Sequence, residues 1–178
     1  MNRTQSNRGF TFVELMVSIA IIGILSAVVL SGVDRVRKNG RVAQRLSDIK
    51  RVQAALDLYY AKNKSYPTTG GSWRGICASY NGSGAYTAGN GLSIPGLAPT
   101  YISRIPVDPQ SSPSNDNNCY LYRSGGSPDG TDYAFRVDSV TELSNGSAGA
   151  SYAKYPELYD SVRPTSAWKV SSPGGVEF

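Results

Sequence analysis

Leu15 to Val33 reads LMVSIAIIGILSAVVLSGV, nineteen positions without a charge, and no proline occurs before Pro67. As a helix, Phe10 to Val33 would span roughly 36 Å, enough to cross a bilayer core of about 30 Å. A polar, basic leader, MNRTQSNRG, precedes the run and carries Arg3 and Arg8. An ordinary secretory signal places a small-residue cleavage site after its apolar stretch. Ser31 and Gly32 stand there, without an A-x-A pattern. Hydropathy alone therefore admits a plain membrane anchor on an exported domain.

Glu14 argues for something more. It lies inside the apolar segment, and no basic residue occurs between Phe10 and Val33. A carboxylate deep in a membrane helix costs roughly 2.5–3.5 kcal/mol on insertion scales, so it needs a partner. A cut between Gly9 and Phe10 would create an amino group one helical turn away, on the same chain or on a neighbour in an assembly.

The stretch GFTFVELMVSIAIIGILSAVVLSG resembles the prepilin-type signal of type IV pilins and type II secretion pseudopilins. The resemblance implies that a prepilin peptidase cuts after Gly9 and N-methylates Phe10. It also implies that Glu14 neutralises the N-terminal amine of an adjacent subunit during filament assembly. Many pilins carry a helix-breaking proline near the end of the run, where this chain has Ser31 and Gly32. Basic residues after Val33 outnumber Arg3 and Arg8, so charge counting alone would put the head in the cytosol. The resemblance implies the opposite, with the head exported.

From Asp34 onward the pattern changes. Leu46, Ile49, Val52, Leu56 and Tyr59 recur at steps of three and four, one apolar stripe of an amphipathic helix. Asn63, Lys64 and Ser65 ahead of Tyr66-Pro67 signal its end. Between Asp34 and Val52 lie seven basic residues and two acidic ones. Such a run reads first as a solvated helix face. Anionic lipid headgroups or acidic faces of neighbouring subunits are the functional alternatives. DNA capture is disfavoured, because no aromatic residues are interleaved with the charges.

After Tyr66 the chain turns rich in glycine, serine and proline, which favours loops and short strands. Cys119–Arg123 and Tyr133–Val137 read as strands joined by a turn at Ser127–Gly130, with a possible third strand at Ala167–Val170. The expected fold is α+β: a long N-terminal helix, membrane half plus amphipathic half, on a small antiparallel sheet head, as in pilins. The expected organisation is a cleaved leader at 1–9, a membrane and filament-core helix at 10–33, a stem helix at 34–65 and a β head at 66–178.

LDLYYAKNKSYPTT and YISRIPVDP, followed by a Tyr-rich strand, are similar to major pseudopilins; Leu56, Tyr59, Tyr66, Pro67, Tyr101, Ile102, Pro106, Asp108 and Pro109 carry the likeness. Beyond about Val137 no likeness is evident. Cys77 and Cys119 suit a disulfide in an oxidising exterior, where closing a ring of roughly 40 residues contributes roughly 3–4 kcal/mol; two reduced thiols are the alternative. Pseudopilins of this kind often bind calcium, and the candidates here are Asp129, Asp132 and Asp138. The run SGGSPDGTD lacks the EF-hand spacing, so turn-forming aspartates are the simpler reading and no other cofactor is expected.

The chain has 178 residues and no histidine, which removes Ser-His-Asp hydrolases and imidazole metal sites. SDIK at Ser47–Lys50 matches S-x-x-K, but the downstream K-T-G is missing. The expectation is a non-enzymatic, single-pass protein of a prokaryotic membrane, whose subunits form an extracellular or periplasmic filament. Its implied partners are like subunits, a prepilin peptidase, an inner-membrane assembly platform, the cytosolic ATPase acting through it, and the bilayer. A surface type IV pilus subunit is slightly preferred over a type II secretion pseudopilin, with a minor pilin binding DNA or a surface as a further rival.

Overall fold

The computed structural model describes residues 9–75, 77, 94–112, 117–125, 130–138, 155–161, 163 and 167–173, with the side chains of 28–32 outside the description. Helix α1 runs Phe12–Asn63. The strands are β1 (Arg74–Gly75), β2 (Cys119–Ser124), β3 (Tyr133–Asp138) and β4 (Trp168–Ser171), with a 3₁₀ turn at Pro156–Leu158 before β4. Two units divide the chain, Met1–Gly40 and Arg41–Phe178.

In the first unit α1 is unbroken across Ser31–Gly32. Its described apolar side chains find no cover: Phe12 is 74% exposed and Ile24 67%. Among the described residues no helix is long and apolar enough to cross a membrane. Side chains 28–32, which complete the uncharged run, lie outside that description.

In the second unit the four strands form one antiparallel sheet in the order β1-β2-β3-β4. Tyr122 stands opposite Phe135, and Tyr120 opposite Val137. With Trp168 and Val170 of β4 they share one core with Ile49, Val52 and Leu56 of α1. The stripe expected from the three-and-four spacing is therefore the buried face, with Leu46 and Tyr59 at its margins. Period-two alternation puts Leu121 and Arg136 on the opposite face. That face is covered as well: Leu121 packs with Cys77, Cys119 and Trp73, and the Arg136 guanidinium lies 4.3 Å from the Trp73 ring centroid. A sheet covered on both sides explains why every residue of β3 is buried.

The three expected strands are present, each within a residue or so of its sequence bounds. The turn expected at Ser127–Gly130 falls outside the described residues except for Gly130. Strand β1 is new, and two residues are too few for any periodicity to reveal. Gly75 is what allows it: a Cβ there would strike the Leu121 side chain and approach the Tyr120 carbonyl to 2.7 Å. Helix α1 ends as its sequence signals, with Lys64 in the left-handed region (φ 59°) and its N–H donating to the Tyr60 carbonyl.

Candidate functional site

Among the described residues, each unit has a place where polar chemistry concentrates. The first is the start of α1. Thr11 immediately precedes the helix, and its backbone N–H and hydroxyl donate to one carboxylate oxygen of Glu14, at 2.8 and 2.7 Å. The Glu14 N–H donates back to the Thr11 hydroxyl at 3.3 Å. This reciprocal pair is a capping box, which satisfies two of the N–H groups a helix start leaves unpaired. Thr-x-x-Glu before an apolar run is its sequence signature, and the sequence reading of Glu14 as a partner for a new amino group, on its own chain or a neighbour's, passed over it. The helix accordingly begins at Phe12 and not at Phe10.

Gly9 and Phe10 lie ahead of the cap, exposed and outside regular structure. A protease needs accessible backbone outside regular structure, and the Gly9–Phe10 bond offers it. No atom lies within 4 Å of a Cβ built at Gly9, so space within this chain does not require glycine there. Any demand for glycine comes from whatever reads the segment.

The second place is a buried polar cluster in the head. Arg45, expected on a solvated basic face, is 0% exposed. Its Nε and Nη2 donate to the two carboxylate oxygens of Asp108, at 2.6 and 3.0 Å. Nη2 also donates to Gln110 Oε1 at 3.1 Å and Asn118 Oδ1 at 3.4 Å. One turn on, Asp48 accepts from the Tyr120 hydroxyl at 3.1 Å and pairs with Arg51 at 3.5 Å. Burial raises the Asp48 carboxyl above its ordinary range, partly countered by the Tyr120 hydrogen bond. The IPVDP loop thus grips α1 through a forked pair that takes one charge of the basic run inside. Periodicity could not find this, because Arg45 is charged and reads as solvent-facing.

Cys77 and Cys119 form a disulfide beside the β1–β2 pair. The calcium candidates do not converge. Asp132 accepts from the Ser172 hydroxyl at 3.0 Å, whereas Asp138 pairs with Arg136 and Arg163. They sit at opposite ends of β3, about 20 Å apart at strand rise, too far to share an ion. Asp129 lies outside the described residues. Among the described residues no group of three or more acidic, Cys or His side chains could hold a metal. A cleft of about 330 Å³ between α1 and β4 is floored by Ile49, Leu158 and Val170.

A long helix carrying a prepilin-type start, with a small antiparallel sheet laid on its second half, defines a pilin-like filament subunit. The prokaryotic N-terminal methylation motif matches residues 4–30. The type II secretion system core protein G of Escherichia coli is 32% identical over 114 residues, 61% of this chain and 70% of that protein. The Pseudomonas aeruginosa protein of the same name is 33% identical over 113 residues, covering 64% and 74%. That of Klebsiella michiganensis is 42% identical over a shorter 67 residues, 38% of this chain and 47% of that protein. No solved structure matches the chain. The chain belongs to the type II secretion core protein G family.

Proposed function

We propose that this chain is the major pseudopilin of a type II secretion system. On this reading α1 anchors it in the inner membrane with the head on the periplasmic side. A prepilin peptidase removes residues 1–9 and methylates Phe10, and the mature helices pack into the core of a short periplasmic filament driven by a membrane platform and its ATPase. The subunit is structural. Chemistry is done to it, and none is done by it.

The observation that carries this reading is how far the likeness to core protein G extends. The N-terminal motif at 4–30 is shared by pili and pseudopili, whereas the identity to the Escherichia coli protein runs over 114 residues and so reaches into the head. The preference drawn from the sequence alone, for a surface pilus subunit, thereby gives way to its alternative. The Gly9–Phe10 bond, exposed ahead of the Thr11 cap, supports the processing step.

Deletion in the source bacterium should trap exported enzymes in the periplasm while surface pili persist. Loss of pili with secretion intact would reverse the assignment. Intact-mass analysis of the envelope protein should find a chain beginning at methylated Phe10, and Gly9→Val should accumulate the full-length precursor. Because a side chain at position 9 meets open space, that accumulation reports the peptidase's requirement and not misfolding.

A further inference from the structure

The face of the sheet turned away from α1 carries buried charge. Arg136 and Asp138 of β3, Lys169 of β4 and Asp160 of the segment ahead of β4 are all buried. A charge taken out of water persists only where an opposite charge meets it. Arg136 Nη2 lies 3.0 Å from Asp138 Oδ2, and Lys169 Nζ lies 3.8 Å from Asp160 Oδ1. Half-buried Arg163 spans both acids. Its Nε is 3.9 Å from Asp138 Oδ1, and its backbone N–H donates to Asp160 Oδ1 at 3.3 Å.

The strand register explains why these groups meet. Val137 stands opposite Trp168, and Tyr159 bridges the same Trp168 from the other side. One residue further along, Asp138 and Asp160 therefore flank Ala167, about 10 Å apart at two strand spacings. Two carboxylates so placed could close on one calcium ion, whose oxygen ligands lie about 2.3–2.6 Å from it. Here the chain's own cations have taken them. Among the described residues three basic side chains face two acids, so one positive charge is in excess and a further cation is repelled.

We propose that this ion-pair cluster does in the head what a structural calcium would do. Arg163 fastens the segment ahead of β4 to β3, and Lys169 fastens it to β4. The calcium that the likeness to major pseudopilins implies is then dispensable, and the head folds and keeps its stability without a divalent cation. This stands on the head alone and does not depend on which filament the chain builds.

Thermal melts of the full chain in detergent, followed by circular dichroism, test it with calcium chloride and with the chelator EGTA. The melting temperature should be the same in millimolar calcium as in excess EGTA. An ion held at a hundred times its dissociation constant would raise it by about 10 °C in a unit of this size. A rise of several degrees in calcium overturns the proposal, wherever in the chain the ion binds. Lys169→Met strands buried Asp160 and should lower the melting temperature by about 10 °C. Asp160→Asn in the same chain should restore half of that or more, because asparagine keeps an acceptor for the Arg163 N–H and carries no charge. Lys169→Met melting like wild type overturns the proposal, since the ammonium then fastens nothing. A double variant no more stable than Lys169→Met also overturns it, because packing of the lysine stem would then be what holds the segment. If Lys169→Met does not fold, the double variant and the calcium melts of the wild-type chain decide.

Discussion

Glu14 has a task within its own chain before any neighbour arrives. Its carboxylate completes the Thr11 capping box, so Glu14→Ala removes a helix cap, worth about 1 kcal/mol, as well as a charge. Glu14→Gln separates the two, because glutamine also serves in a capping box and cannot neutralise an amine. If charge pairing drives assembly, both variants should be cleaved normally and neither should give filaments by electron microscopy. Filaments from Glu14→Gln alone would make the cap the essential function. Thr11 and Glu14 are three apart in the sequence, so the box could be read from it. The forked grip of Arg45 on Asp108 could not, because its partners lie 63 positions apart.

At the scale of elements, one device holds the head on its half of α1 and another ties the head's own strands. The Arg45–Asp108 pair is fully buried, so removing one partner strands a charge. Asp108→Ala should cost about 3–5 kcal/mol in urea denaturation of the full chain in detergent, whereas Arg45→Met with Asp108→Leu should cost much less. A double mutant as unstable as Asp108→Ala would show that the pair's shape matters more than its charge. The Cys77–Cys119 bridge closes a separation of 42 residues. Its replacement by two serines should cost roughly 4 kcal/mol by loop closure and free β1, which pairs with β2 over only two residues. Retained protection of the Gly75 and Leu121 amides against hydrogen exchange in that variant would mean that packing of Trp73 on the sheet suffices.

At the scale of the whole molecule, the head's core is built on phenols. Burial raises the Tyr133 hydroxyl to about 12, and those of Tyr120 and Tyr122 higher still. Below pH 10 folded and unfolded chains are both protonated there and the stability is complete. Above pH 10 the unfolded chain sheds protons that the folded one keeps, so stability falls as pH rises through about 12. Tyr133 alone would account for on the order of 2 kcal/mol. Thermal melts at pH 8 and pH 11.5 should show a steep loss, smaller in Tyr133→Phe. An equal loss in that variant would assign the alkaline sensitivity to other groups.

The sequence by itself determined the helix, its apolar and amphipathic halves, the segment that matches the methylation motif and three of the four described strands. Each of these follows from local chemistry: periodicity, charge along one segment, capping and β-branched or aromatic runs. Family membership followed in part from the same residues, while the choice between pilus and pseudopilus waited on how far the likeness runs into the head. Tertiary structure alone decided which basic residue turns inward, which strand a lone glycine admits, that the two cysteines meet, and that Asp132 and Asp138 do not. Those outcomes depend on residues tens of positions apart reaching van der Waals and hydrogen-bonding distance, and such distances are set by packing the sheet on α1.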